Sequence, residues 1–397
     1  TVDFAPVLDL ALAPQGTVVG TRSLGDDPAR VARLGAALVR GLQTAGVAAT
    51  VKHFPGHGAT SADSHVARPL LTQDAATLRA RDLEPFRAAF AANARAVMTA
   101  HVVVRDIDPV LPATLSPAIL TELLRREMGF AGVCFTDCLQ MDAIARGAGT
   151  LQGAVAALAA GADSLVVSND LALARNVRDA VVEAVRAGTL PRERVEEAAG
   201  RMAALRRAVA PQISSAAVAY PTDDGLAREI ARRAIVVVRG TAALQADVPV
   251  TVVSFEGDIV DGIAVSQGER PSLSLALRRR KIRSEMFRVA PSPDEAMRDM
   301  LLQVLRAQGP RNVVIVARRA HLREGQRVAI EAILDVAPAA SAVSALEPFD
   351  VVSLARARTV ICSFGDDEAN VEAVADVLTG RSEACGSMPI ELAEVPV

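Results

Sequence analysis

Across its first half the chain alternates short β-rich runs with amphipathic helical stretches, and this rhythm constrains the fold more than any other feature. Strands are predicted at residues 4–8, 49–53, 96–101, 132–136 and 164–168, and helical patterns at 28–45, 78–93, 117–128 and 151–160. Such an alternation specifies a parallel sheet, because parallel neighbours need a long crossover and a helix supplies it. Almost every strand run ends in polar or ionisable residues: Asp9, Lys52-His53, His101, Asp137 and Ser168-Asn169. Polar groups converging from the C-terminal ends of several strands mark the active face of a (β/α) barrel. An open doubly wound sheet would instead gather its site at one switch point, and no glycine-rich phosphate fingerprint is present. The expected fold class is α/β: an N-terminally truncated (β/α)8 TIM-type barrel, its first strands missing, followed by a second α/β domain.

With 397 residues the chain is too long for one core, since single cores stop growing near roughly 250–300 residues. A barrel domain is expected at 1–210, closed by a long helix at 192–208. Residues 211–224, rich in Ser, Ala, Pro and Thr, read as a linker, and 225–397 as an α/β sandwich. The second domain shows little chemistry. Its basic run Arg278-Arg279-Arg280-Lys281 reads as a solvated helix end, and its lone histidine, His321, as a surface residue in an Arg-rich loop.

Half of the residues are apolar and the net charge is −3, so a packed chain without a basic footprint for nucleic acid is expected. No apolar run approaches the ~20 residues that span a bilayer, so no membrane partner is expected. Trp is absent, Tyr occurs once and aromatic residues make up 3% of the chain. Long polysaccharides and single-stranded nucleic acids are held on aromatic platforms, so a site here relies on hydrogen bonds and charge and suits a small polar ligand. The four cysteines are too few for a disulfide framework. Cys134 and Cys138 flank a strand ending at Asp137, with no second pair at zinc-ligand spacing.

Four of the five histidines fall between positions 53 and 101. Three of them stand in or just after the run Lys52-His53-Phe54-Pro55-Gly56-His57-Gly58, the third in Asp63-Ser64-His65. Histidine changes charge near neutral pH, and a carboxylate two residues away can fix its tautomer and stabilise the imidazolium, as a proton-transfer catalyst needs. Pro55 and Gly56 forbid a continuous helix, so His53 and His57 are not a helical zinc pair. A loop metal site using His53, His57 and His65, histidines satisfied by loop carbonyls, and a polar organic ligand held by Lys52 and His53 all remain open; no cofactor or metal is expected. Asp137 reads equally as a helix N-cap or a catalyst, Arg22 as a loop salt bridge or a substrate clamp, and His101 as a core histidine or part of the site.

Taken together, the runs Asp3–Asp9, Gly20-Thr21-Arg22-Ser23, Lys52–Gly58 with Asp63-Ser64-His65, Met98-Thr99-Ala100-His101 and Gly129–Asp137 resemble glycoside hydrolase family 3. The Asp-Ser-His run is similar to the bacterial β-N-acetylglucosaminidase branch. Near the end, Gly365-Asp366 and Gly386-Ser387-Met388-Pro389-Ile390 are similar to the family's α/β sandwich domain. The resemblance implies a retaining exo-acting β-N-acetylhexosaminidase with Asp137 as nucleophile and His65, polarised by Asp63, as acid/base. It makes Arg22, Lys52, His53 and His101 substrate contacts and a small glycan or muropeptide the partner. It also implies a cytoplasmic setting and a role in peptidoglycan recycling. An N-acetylglucosaminide phosphorylase, another family 3 β-glycosidase and a non-catalytic sugar-binding relative are the alternatives.

Overall fold

A computed structural model describes residues 1–12, 19–60, 69–209, 224–241, 244–245, 247–256, 271–309 and 311–392. The chain divides into two units, Thr17–Ala217 joined by Thr1–Ala13, and Val218–Val397 with Pro14–Gly16.

In the first unit the strands are β1 (Val2–Asp3), β2 (Ala48–Phe54), β3 (Leu70–Leu71), β4 (Ala96–Thr99), β5 (Val103–Val104), β6 (Val133–Cys138) and β7 (Ser164–Val166). The helices are α1 (Pro28–Thr44), α2 (Ala75–Thr77), α3 (Glu84–Ala91), α4 (Asp142–Ala145), α5 (Thr150–Ala160), α6 (Leu171–Arg186) and α7 (Arg192–Ala208). A wider π-type helix runs over Ala118–Glu127. Five strands pair in parallel in the order β1-β2-β4-β6-β7, a curled part-barrel of the expected class. β3 and β5 form a separate parallel pair.

Local chemistry explains these elements. α1 starts where the Asp27 carboxylate accepts from the Arg30 N–H, with Pro28 in the first turn. Along the strands residues alternate between two apolar clusters. Ala49, Val51, Val97 and Cys134 join the larger one, with Val31, Val39, Phe86, Ile119 and Leu120 from the helices. Ala48, Ala96, Met98, Val133 and Phe135 form the other, with Leu205 from α7. Asp137 continues the parity of Val133 and Phe135, so the second face carries it to the strand end.

The expected strand at 4–8 is largely absent, because Pro6 has no N–H to give to a ladder. Only Val2–Asp3 and an isolated bridge from Val7 to Lys52 qualify. The segment still runs beside β2, with the Thr50 N–H donating to Ala5 O and the Leu8 N–H to Lys52 O. That contact carries Asp9 to the same sheet end as His53. Helix α6 is not among the expected elements, although Asp170 caps it by accepting from the Leu173 N–H at 2.9 Å.

The second unit contains β8 (Val236–Arg239), β9 (Val250–Phe255), β10 (Ser284–Val289), β11 (Asn312–Ala317), β12 (Ser341–Ser344) and β13 (Thr359–Cys362). Its helices are α8 (Asp224–Ala234), α9 (Leu273–Arg279), α10 (Glu295–Ala307), α11 (Glu324–Val336) and α12 (Glu368–Leu378). The sheet order is β10-β9-β11-β12-β13-β8, parallel except for β8 at one edge. Two apolar clusters cover its two faces, which makes it an α/β sandwich.

Two readings of this unit need correction. The basic run is not uniformly solvated: Arg278 and Arg279 are exposed, but Arg280 is buried and pairs with Glu372 and with Asp376 at 2.7 Å. His321 is not a surface residue. Its ring is enclosed, with Nδ1–H donating to Asp350 Oδ1 at 2.6 Å and Nε2 lying 3.3 Å from Glu347. Burial alone would push this imidazole down, but its hydrogen bond to Asp350 and the adjacent Glu347 carboxylate raise it to about 9.

A histidine raised in the folded state stabilises fully below its unfolded pKa near 6.5, and that contribution is lost as pH climbs through about 9. We therefore expect His321→Gln to lower stability most at pH 6, by up to roughly 3 kcal/mol, with the melting temperature falling accordingly. The gap should narrow steadily towards pH 10 in thermal melts; a pH-independent gap would contradict the ion cluster.

Candidate active site

The strand ends of β2 and β6 bring three ionisable side chains together. Asp137 lies near the end of β6 with its side chain a quarter exposed, enough to meet a ligand. Its Oδ1 accepts from the Cys138 N–H at 2.7 Å. His53 Nε2 stands 3.9 Å from Asp137 Oδ2. Burial pushes the Asp137 carboxyl up, but the charges of His53 and His101, the Cys138 N–H and Lys52 outweigh it and hold the group below the ordinary range. The ionised carboxylate is the form a nucleophile needs.

Lys52 precedes His53 on β2. Burial and the nearby Arg22 charge lower its pKa, against the pull of Asp137, Asp9 and Asp3. Arg22 ends the short turn Gly20–Arg22, where its Nε–H donates to Val19 O at 3.1 Å. Strict alternation would turn Lys52 and His53 to opposite faces. Here the pairing of β2 with β4 shifts register between Val51 and Phe54, and the charges of both residues are felt at Asp137.

The loop after β2 is tightly built. Gly56 has φ +124°, and a Cβ on it would approach the Asp82 side chain to 3.3 Å. At Gly58 a Cβ would fall 1.7 Å from Leu10 O, so only glycine allows this backbone crossing. His57 is buried, its Nδ1 2.8 Å from Thr60 Oγ1, and burial lowers its pKa despite Asp9 nearby. The rings of His53 and His57 are 6.3 Å apart and their Nδ1 atoms face Asp9 and Thr60 respectively, so each already has a protein partner.

His101 departs from the role of a substrate contact. It is 1% exposed, with Nδ1 2.7 Å from Thr114 Oγ1 and Nε2 2.9 Å from Cys138 O. A carbonyl only accepts, so Nε2 carries the proton. Burial pushes the ring towards its neutral form. With both nitrogens engaged, His101 braces the peptide that follows Asp137 and contributes to its field from behind.

Asp63, Ser64 and His65 lie outside the described residues, so the expected acid/base dyad and the loop metal site that includes His65 have no geometry to report. Among the described residues, no three His, Cys, Asp or Glu side chains are grouped to hold a metal ion. The sequence reading passes over Asp9 as a site residue. Its carboxylate accepts from His53 Nδ1–H and from the His57 N–H, both at 2.7 Å. The available signal was its place at the end of a strand-like run on the same rim.

Residues 1–205 match the model of the glycosyl hydrolase family 3 N terminal domain. The chain is similar to a beta-hexosaminidase of Stenotrophomonas maltophilia K279a, 43% identical over 42% of this chain and 49% of that protein. It is also similar to a beta-hexosaminidase of Pseudomonas aeruginosa LESB58, 47% identical over 44% of this chain and 51% of that protein. The chain thus spans about half the length of the curated relatives it matches. Among solved structures, a glycoside hydrolase family 3 beta-N-acetylglucosaminidase from Paenibacillus sp. FPU-7 superposes with a TM-score of 0.91 at 35% identity, covering 100% of this chain and 77% of that one.

Proposed function

The chain belongs to glycoside hydrolase family 3, and on that premise we propose that it acts as a retaining exo-β-N-acetylglucosaminidase. Its substrates are small glycans or cell-wall muropeptide fragments ending in β-N-acetylglucosamine, as in peptidoglycan recycling. The observation that carries this reading is the partly exposed, ionised Asp137 carboxylate at a strand end, faced by His53 and the Lys52 charge. The named relatives support the choice of sugar. No helix among the described residues is long and apolar enough to cross a membrane.

In this mechanism Lys52, His53 and Arg22 hold the hydroxyls of the terminal sugar, and an Asp137 oxygen attacks C1. The C1–O bond to the leaving group breaks as His65, oriented by Asp63, transfers its proton to the departing oxygen. His65, now neutral, takes a proton from water, whose oxygen attacks C1 and frees Asp137. Two displacements at C1 return the β configuration.

The test is hydrolysis of p-nitrophenyl N-acetyl-β-glucosaminide by the full chain, followed by proton NMR of the first-formed sugar, with the β-glucoside as control. Turnover of the N-acetyl substrate with the β anomer appearing first is expected. The α anomer appearing first would overturn the retaining mechanism. Sugar 1-phosphate formed in phosphate buffer would make the enzyme a phosphorylase, and binding without turnover would make the chain a sugar-binding relative.

A further inference from the structure

We propose that Asp9 is a positioning residue of the active site, fixing the tautomer and orientation of His53 so that Nε2 is presented to the sugar. The inference rests on the reading of His53 as a sugar contact. The Asp9 side chain is fully enclosed. A buried carboxylate is costly unless it is paired and hydrogen-bonded, and here the partners come from one short stretch of the neighbouring segment. Oδ2 accepts from His53 Nδ1–H at 2.7 Å, Oδ1 from the His57 N–H at 2.7 Å, and both oxygens lie 3.3 Å from the His53 backbone N. Burial would favour the neutral acid, but the charge and hydrogen bond of His53, followed by His57, hold Asp9 ionised.

An ionised carboxylate can only accept hydrogen bonds. With Asp9 as its acceptor, Nδ1 of His53 is the protonated nitrogen, and Nε2 is left to face the site. That nitrogen faces Asp137 Oδ2 at 3.9 Å. A buried carboxylate behind a histidine imposes tautomer and ring angle together, the role such partners play behind catalytic and metal-binding imidazoles. Asp9 also ties the start of the glycine-rich loop, through the His57 N–H, to the segment that ends beside β2. One carboxylate thus holds the ring and the backbone that follows it.

Nitrogen-15 NMR of the histidine-labelled full chain tests this without depending on turnover. Neutral His53 is expected to show a protonated Nδ1 and a bare Nε2; the opposite tautomer in the wild type would overturn the proposal. Asp9→Asn offers an amide where Nδ1–H needs an acceptor, and is expected to reverse the tautomer and lower kcat/KM on the order of 10²-fold. In a His53→Ala background the same change should cost nothing further, because Asp9 acts through His53. Losses that multiply, or a lower melting temperature with kcat/KM intact, would make Asp9 a structural residue only. If Asp9→Asn fails to fold, the wild-type tautomer still decides. If the chain turns over no N-acetylglucosaminide, the function proposed above fails while the NMR result for Asp9 stands.

Discussion

Replacing Asp137 with alanine is expected to lower turnover of N-acetyl-β-glucosaminides by roughly 10⁴-fold or more, with little change in melting temperature. The nucleophile supplies the bond that divides one difficult displacement into two easier ones, and no neighbour can replace it. His53 Nε2 faces the same carboxylate but is held from behind by Asp9, and His101 has both nitrogens engaged. The small structural cost follows from the geometry: Asp137 is a quarter exposed, and the backbone N–H it accepts from belongs to the next residue, Cys138. Truncation leaves a space about the size of a small anion. Added azide should therefore restore part of the turnover with an activated substrate and give the α-glycosyl azide, because one displacement replaces two. Steady-state kinetics with product NMR checks both; an alanine variant within tenfold of the wild type would remove Asp137 from the chemistry.

The second large effect is expected at His65. Its change to alanine should lower kcat/KM by roughly 10²–10⁴-fold for substrates with poor leaving groups, such as a disaccharide. The loss should be far smaller for a dinitrophenyl glycoside, whose leaving oxygen departs without a proton. Asp63→Asn should follow the same pattern more weakly, since it removes only the partner that orients the ring. Equal losses across leaving groups would show that His65 binds substrate and does not transfer the proton.

Much of the barrel unit was legible because its signals are local. The Asp27 cap with Pro28 opens α1, and the apolar run of β2 ends in Lys52-His53. The failures are equally local in cause. Pro6 breaks the ladder at 4–8 while leaving the segment alongside β2. His321 was misjudged, and the partner of Asp9 went unread, for one reason. Their roles are made by partners 44 and 29 residues away, and no spacing in the sequence reports that His53 will close on Asp9 or that Asp350 will close on His321. His101 was read at a strand end, but which nitrogens its neighbours consume is a property of packing. Strand ends are visible in sequence; the direction in which a strand-end side chain faces is set by register, and β2 shifts register at its C-terminal end.

The most direct test of the retaining mechanism is to trap its intermediate. The full chain would be incubated with a fluorinated N-acetylglucosaminyl fluoride that forms the glycosyl-enzyme quickly and loses it slowly, then examined by intact mass and peptide mapping. A mass gain of one fluorinated sugar, confined to the peptide carrying Asp137 and absent from Asp137→Ala, is the expected result. A stable adduct on another residue, or turnover of a slow substrate that releases the α anomer with no adduct, would contradict it.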